Sequence, residues 1–167
     1  MNSASADLSV RTTRLGRPLS AVVHASKAHG RLILAAQGGF HGATYETGHT
    51  IVLPYETDDA VLGQAVLDTL LLHQPVDCTA RDMRVTDWPA FRASSLRSVR
   101  AFESSYYPVC VSTTLHFGLE LRGTSYGASS VVVSRRMNLA CAPEDLGAAV
   151  FHITLACYTL DQADLLR

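Results

Sequence analysis

Asp58-Asp59-Ala60-Val61-Leu62-Gly63-Gln64-Ala65-Val66-Leu67 follows a short β-branched run, Thr50–Leu53, that Pro54 stops. Eighty-odd residues later the chain repeats itself: Pro143-Glu144-Asp145-Leu146-Gly147-Ala148-Ala149-Val150-Phe151. Leu62-Gly63-Gln64-Ala65-Val66 aligns with Leu146-Gly147-Ala148-Ala149-Val150. Each copy opens on acids, which suit the positive end of a helix dipole. In each, apolar residues then recur at helical spacing. Glycine inside a helix costs about 1 kcal/mol relative to alanine. Its use at matching places implies a close backbone approach, expected here between helix and sheet. The echo therefore predicts a duplicated strand–helix unit.

Outward from these two helices the chain reads mostly as strands. Ser20–Ser26 and Arg31–Gln37 are apolar runs joined by Lys27-Ala28-His29-Gly30, a hairpin in which Gly30 supplies positive φ. Gly38-Gly39-Phe40-His41-Gly42 reads as a loop. The first helix is expected from Thr57 or Asp58 as cap to about Leu72, before His73-Gln74-Pro75. Asp87-Trp88-Pro89 reads as a helix start, with Asp87 near the cap. Val109–Phe117, Leu119–Arg122 and Ser130–Ser134 read as strands, the last centred on Val131-Val132-Val133. The second helix is expected from Pro143 to about Tyr158. The fold class is α+β: one domain with a twisted, mostly antiparallel sheet of about six strands carrying two main helices, both on one face. Leu62, Ala65, Val66, Leu70, Leu146, Ala149, Val150 and Ile153 are the expected core. Residues 1–18, rich in Ser, Thr and Arg, read as a flexible N-terminal extension, and 19–167 as the domain.

Composition narrows the function. The chain has 167 residues and a formal net charge of −1. That excludes a binder working through a broad basic field and a polybasic membrane-surface protein. The near-neutral total hides blocks: residues 46–87 net −6 and 137–167 net −3, against +4 for both 1–36 and 88–136. Such alternation can set an acidic face beside a basic one. Cys78, Cys110, Cys141 and Cys157 form no C-x-x-C pair, and no secretory signal opens the chain, so free thiols and a cytoplasmic location are expected.

No catalytic set emerges. Gly123-Thr124-Ser125-Tyr126-Gly127 has the letters of a nucleophile elbow, but a strand follows where that motif needs a helix. His41, His49, His116 and His152 show no metal-ligand spacing. The glycine run at 38–42 lacks the Lys-Ser/Thr pair of a phosphate loop. No cofactor, metal site or enzymatic activity is therefore expected. A small serine hydrolase using Ser125 with His41 or His116, and a domain that dimerises through its sheet, are the alternatives.

Ile51-Val52-Leu53-Pro54, Thr57-Asp58-Asp59 and Leu62–Leu67 together resemble the "V-x-L-P…S-D-E-E-L-G-x-A-V-x-x-A-L" segment of contact-dependent growth inhibition (CDI) immunity proteins. Ala142–Val150, closed by Leu155-Ala156-Cys157, resembles that family's C-terminal "S-P-E-E-L-G-A-A-L…A-L-x-x-C". The likeness covers about residues 19–158. The chain departs in its N-terminal extension, in using Arg where the family often has Lys, and in Ala142 for the capping Ser. The resemblance implies a cytoplasmic protein that binds the C-terminal toxin domain of a large CDI effector, one to one, with no nucleic acid or membrane as direct partner. Many such toxins are nucleases, and an inhibitor of a basic site gains from an acidic face. The acids implied as toxin contacts are Glu56, Asp58, Asp59, Asp77, Asp82, Glu144 and Asp145. For each, helix capping or solubility is the competing role.

Overall fold

The computed structural model describes residues 8, 12, 18–40, 43–73, 88–114, 118–124 and 132–163. Six strands form one antiparallel sheet: β1 (Ser20–Ser26), β2 (Arg31–Phe40), β3 (Ala43–Pro54), β4 (Tyr107–Thr113), β5 (Gly118–Gly123) and β6 (Val133–Asn138). Four helices are described: α1 (Asp59–Leu71), α2 (Pro89–Ser94), α3 (Val99–Ser105) and α4 (Pro143–Gln162). The spatial order is β3-β2-β1-β4-β5-β6. It reads the same from either edge. The chain is thus two β-β-β-α units joined where β1 pairs antiparallel with β4, from Ser20↔Ser112 to Ala25↔Tyr107.

Alternation along the strands builds two cores. Ala21, Val23 and Ala25 of β1, Leu32 and Leu34 of β2, and Val109 and Val111 of β4 face α1 and α4. Val22 of β1 and Ile33 and Ala35 of β2 face the other way, toward Ala90, Phe102 and Tyr106. β1 is buried along its whole length, as a strand covered on both faces must be. All eight expected core residues lie in the α1–α4 core, with Ala65 at its margin. Both long helices share one face, as expected. The helix start at Trp88-Pro89 is where the sequence placed it, but a second layer made of α2 and α3 was not foreseen.

Several boundaries differ. Gly38-Gly39-Phe40 is strand, not loop: Gly38↔Tyr45, Gly39↔Thr44 and Phe40↔Ala43 pair in a hairpin, and cross-strand pairing overrides the weak strand preference of glycine. Gly30 has φ +61°, as its turn required. Asp58 occupies the N-cap of α1, but its side chain makes no capping hydrogen bond. Trp88 is the N-cap of α2, which agrees with a helix start at this point. β6 begins at Val133 and runs on through Arg135 and Arg136, so its centre lies beyond the valine run. Charged side chains suit such a sheet edge, because they discourage pairing with another chain. α4 extends to Gln162. Leu8 belongs to the core, and Thr12 Oγ1 lies 2.9 Å from Thr113 Oγ1, so these two positions of the N-terminal segment pack on the domain.

Candidate partner-binding surface

The two repeated helices meet at their glycines. A methyl group built on Gly63 would lie 1.7 Å from the carbonyl oxygen of Pro143, and one on Gly147 would lie 1.9 Å from that of Asp59. The contact is reciprocal: each helix sets its glycine against the first residue of the other. The close approach anticipated for these glycines is therefore helix on helix, not helix on sheet. Its geometric consequence is that both acidic first turns lie side by side. Asp58, Asp59, Glu144 and Asp145 are all exposed there. Glu56, also exposed, sits in the turn that leads into α1. Asp59, Glu144 and Asp145 lie in the first turns of their helices and Asp58 at the N-cap, where the positive end of the helix dipole favours negative charge. Asp77 and Asp82 lie outside the described residues, as do Cys78, Ser125, His41 and His116.

Glu46 is no surface acid; its side chain is 6% exposed. Its Oε1 accepts hydrogen bonds from His24 Nε2 (2.5 Å) and Trp88 Nε1 (2.6 Å), and its Oε2 accepts from the Ala90 amide (2.8 Å). The pairing of β2 with β3 is irregular between Ala35 and Gln37, beside Glu46. Such irregularities re-aim a side chain. His24 is packed against Phe102 at 5.2 Å between ring centroids. One carboxylate thus ties β1, β3 and the start of α2 together. Sequence reasoning missed it because its partners lie 22, 42 and 44 positions away. The only hint was a histidine inside an apolar strand. Arg92, Arg97 and Arg100, exposed on α2, α3 and the link between them, put basic charge on the layer opposite the acidic crossing.

The far end of α4 is aromatic. Tyr107 donates from its hydroxyl to Asp161 Oδ2 (2.8 Å), and its ring meets that of Tyr158 at 6.0 Å, edge to face. Burial first, then the Asp161 carboxylate, holds the Tyr107 phenol well above its ordinary range, so it remains the donor. Burial also pushes up the thiols of Cys110 and Cys141, and that of Cys157 to about 11. Because the thiolate is the nucleophile, Cys157 is expected to resist iodoacetamide at pH 8 in the folded protein and to label only on unfolding. Burial makes the folded state favour the Cys157 thiol over the thiolate. Its contribution is complete below about pH 9 and is lost as the pH rises toward 11. Mass-spectrometric labelling rates of Cys157 with and without denaturant test this; equal rates would contradict it. Among the described residues, no group of three His, Cys, Asp or Glu could hold a metal ion, and no helix is long and apolar enough to cross a membrane.

No protein-family model matches the chain, and no curated protein does. Solved structures do share its fold. A protein of unknown function from Neisseria meningitidis is 19% identical, with a TM-score of 0.62 over 84% of this chain and 96% of that one. A chain of the CdiA-CT/CdiI toxin and immunity complex from Yersinia pseudotuberculosis is 12% identical, with a TM-score of 0.62 over 84% of this chain and 97% of that one.

Proposed function

We propose that this protein is a CDI-type immunity protein, a stoichiometric inhibitor that binds the toxin domain of a contact-dependent growth inhibition effector in the cytoplasm and performs no chemistry of its own. The observation that carries the reading is the reciprocal crossing at Gly63 and Gly147, which gathers Asp58, Asp59, Glu144 and Asp145 on one exposed surface. The same two motifs carry the resemblance to immunity proteins. The shared fold with a chain of a toxin–immunity complex supports it. A nuclease toxin presents basic charge to its substrate. An acidic surface would speed its capture by electrostatic steering and disfavour wrong partners through like-charge repulsion.

Co-expression tests the reading. Cells producing the toxin domain encoded immediately upstream should grow when this protein is supplied, and the two chains should co-purify one to one. Absence of both rescue and complex would sink it. The surface has its own prediction. Neutralising the four acids together (Asp58→Asn, Asp59→Asn, Glu144→Gln, Asp145→Asn) should slow association with the toxin about tenfold at low salt and flatten its salt dependence. Since Asp58 makes no capping hydrogen bond, the fold should survive. Lost dipole interactions would cost only about 0.3–1 kcal/mol per acid. Unchanged association rates would place the contact elsewhere.

A further inference from the structure

The two edges of the sheet, β3 and β6, are defended unequally. β6 carries Arg135 and Arg136. On the β3 edge, the run from Thr47 to Tyr55 contains no Asp, Glu, Lys or Arg. A long uncharged edge is a template for another strand. The register of β3 shows which backbone groups it offers. The Tyr55 amide donates to the Gly30 carbonyl at 2.9 Å, so it points toward β2. Antiparallel pairs alternate, so Leu53 and Ile51, opposite Leu32 and Leu34, point the same way. Pro54, Val52 and Thr50 therefore turn their backbone groups outward. Pro54 has no N–H to leave unpaired, and an outward position on an edge strand is where proline is tolerated. The open set is the N–H and C=O of Thr50 and of Val52. Among the described residues, none of these groups has a hydrogen-bond partner.

The side chains point to the same edge. Val52 lies opposite Ile33, on the face that α2 and α3 cover, and is 47% exposed. A shallow cavity of about 480 Å³ opens beside it, walled in part by Val52, Pro54 and Ala93. A strand laid along β3 would set alternate side chains on that face.

We infer that β3 pairs antiparallel with β3 of a second copy of this chain, about a twofold axis beside Ile51. In that register Thr50 of each copy lies opposite Val52 of the other. Each such pair exchanges two hydrogen bonds, which leaves no donor or acceptor of Thr50 or Val52 open. An isologous contact requires this self-matching. Pro54 falls opposite Gly48, where open space surrounds the missing side chain. A register centred on Val52 fits less well. It would set Thr50 against Pro54, which has no N–H to return and whose carbonyl already accepts from Thr57 at 3.2 Å. The absence of charge matters too, because a twofold axis brings like groups together. One pair of strands buries less than the roughly 1,200 Å² of a standard interface, so a weak, reversible dimer is expected. The contact is independent of the immunity reading.

Sedimentation equilibrium of the whole chain, from about 10 μM to about 1 mM, should show monomer and dimer in exchange. Val52→Lys and Val52→Glu alter an exposed side chain, so circular dichroism should be unchanged. Each should raise the dimer Kd at least tenfold, because like charges then sit diagonally across the axis. Mixed one to one, the two variants should dimerise again. The register has its own probe. Opposed Cα atoms of a hydrogen-bonded pair lie about 5.5 Å apart, within disulfide reach. A Thr50→Cys chain mixed with a Val52→Cys chain should therefore cross-link on oxidation through these positions, and neither should do so alone. A wild-type chain that stays monomeric throughout, a dimer indifferent to both charges, or a Lys–Glu mixture no tighter than either variant overturns the inference. Cross-linking by Val52→Cys alone overturns the register. A monomeric chain whose toxin affinity falls with Val52→Lys would give this edge to the toxin and overturn the second copy, while leaving the immunity reading in place.

Discussion

Glu46→Ala is expected to detach the α2–α3 layer from the sheet and to cost about 3 kcal/mol, the scale of leaving buried hydrogen-bond donors without their acceptor. Three donors, His24 Nε2, Trp88 Nε1 and the Ala90 amide, would lose their shared acceptor inside the fold. Donors stranded away from water carry their full desolvation cost. Small domains have only about 5–15 kcal/mol in total, so the loss would be a large part of the whole. Trp88 is the chain's single tryptophan and reports on this joint directly. Its emission should move to the red, and the urea midpoint should fall. Glu46→Gln should be intermediate: its carbonyl can still serve one or two donors, while its NH₂ would face another donor. An Ala variant with unshifted emission and an unchanged midpoint would show that α2 is held by apolar packing alone. Because the acidic crossing lies on the opposite face of the sheet, toxin association per folded molecule should be unaffected.

The repeated helices and the antiparallel sheet were legible because their signals are local. Period-3.6 spacing around Leu62 and Leu146, acids at helix starts and a glycine at a positive-φ turn each act over a few residues. The acidic cluster was half legible. Sequence singled out Asp58, Asp59, Glu144 and Asp145, but their adjacency follows from a helix crossing that joins residues 80 and 88 positions apart. Of the second layer only the start of α2, marked by Trp88-Pro89, was legible. α2 and α3 span six and seven residues, too few for a periodic pattern to declare itself. Tyr45-Glu46-Thr47 has no apolar rhythm to mark Glu46 as buried. The shift of β6 has a similar origin: Val131-Val132-Val133 has the stronger strand composition, but Val133 and Met137 are the side chains that pack on the core under α4. Arg135 and Arg136 are tolerated because the strand forms the sheet's edge.

One methyl group at the crossing should have the other large effect. In an exposed helix, Gly→Ala would gain about 1 kcal/mol of helix propensity. At Gly147 the new carbon would meet the backbone of Asp59, and at Gly63 that of Pro143. Backbone cannot swing aside as a flexible side chain does, so the helices must part, opening the core around Leu62, Val66, Leu146 and Val150. Overpacking of this kind costs about 1–3 kcal/mol and sometimes more. With carbonyl oxygens closer than 2 Å to the added carbon, the upper end is expected, a fall in melting temperature of roughly 6–12 °C. The reciprocal geometry makes a sharper claim. Once Gly147→Ala has moved the helices apart, the space needed at Gly63 is already partly open, so the double variant should lose less than the two single losses combined. Full additivity would mean two independent contacts rather than one crossing, and a rise in melting temperature for either single variant would mean the helices do not touch there. Parting the helices also separates Asp58 and Asp59 from Glu144 and Asp145. The same substitutions should therefore slow toxin capture even in the fraction that remains folded, a coupling between stability and association that neutralising the acids alone would not produce.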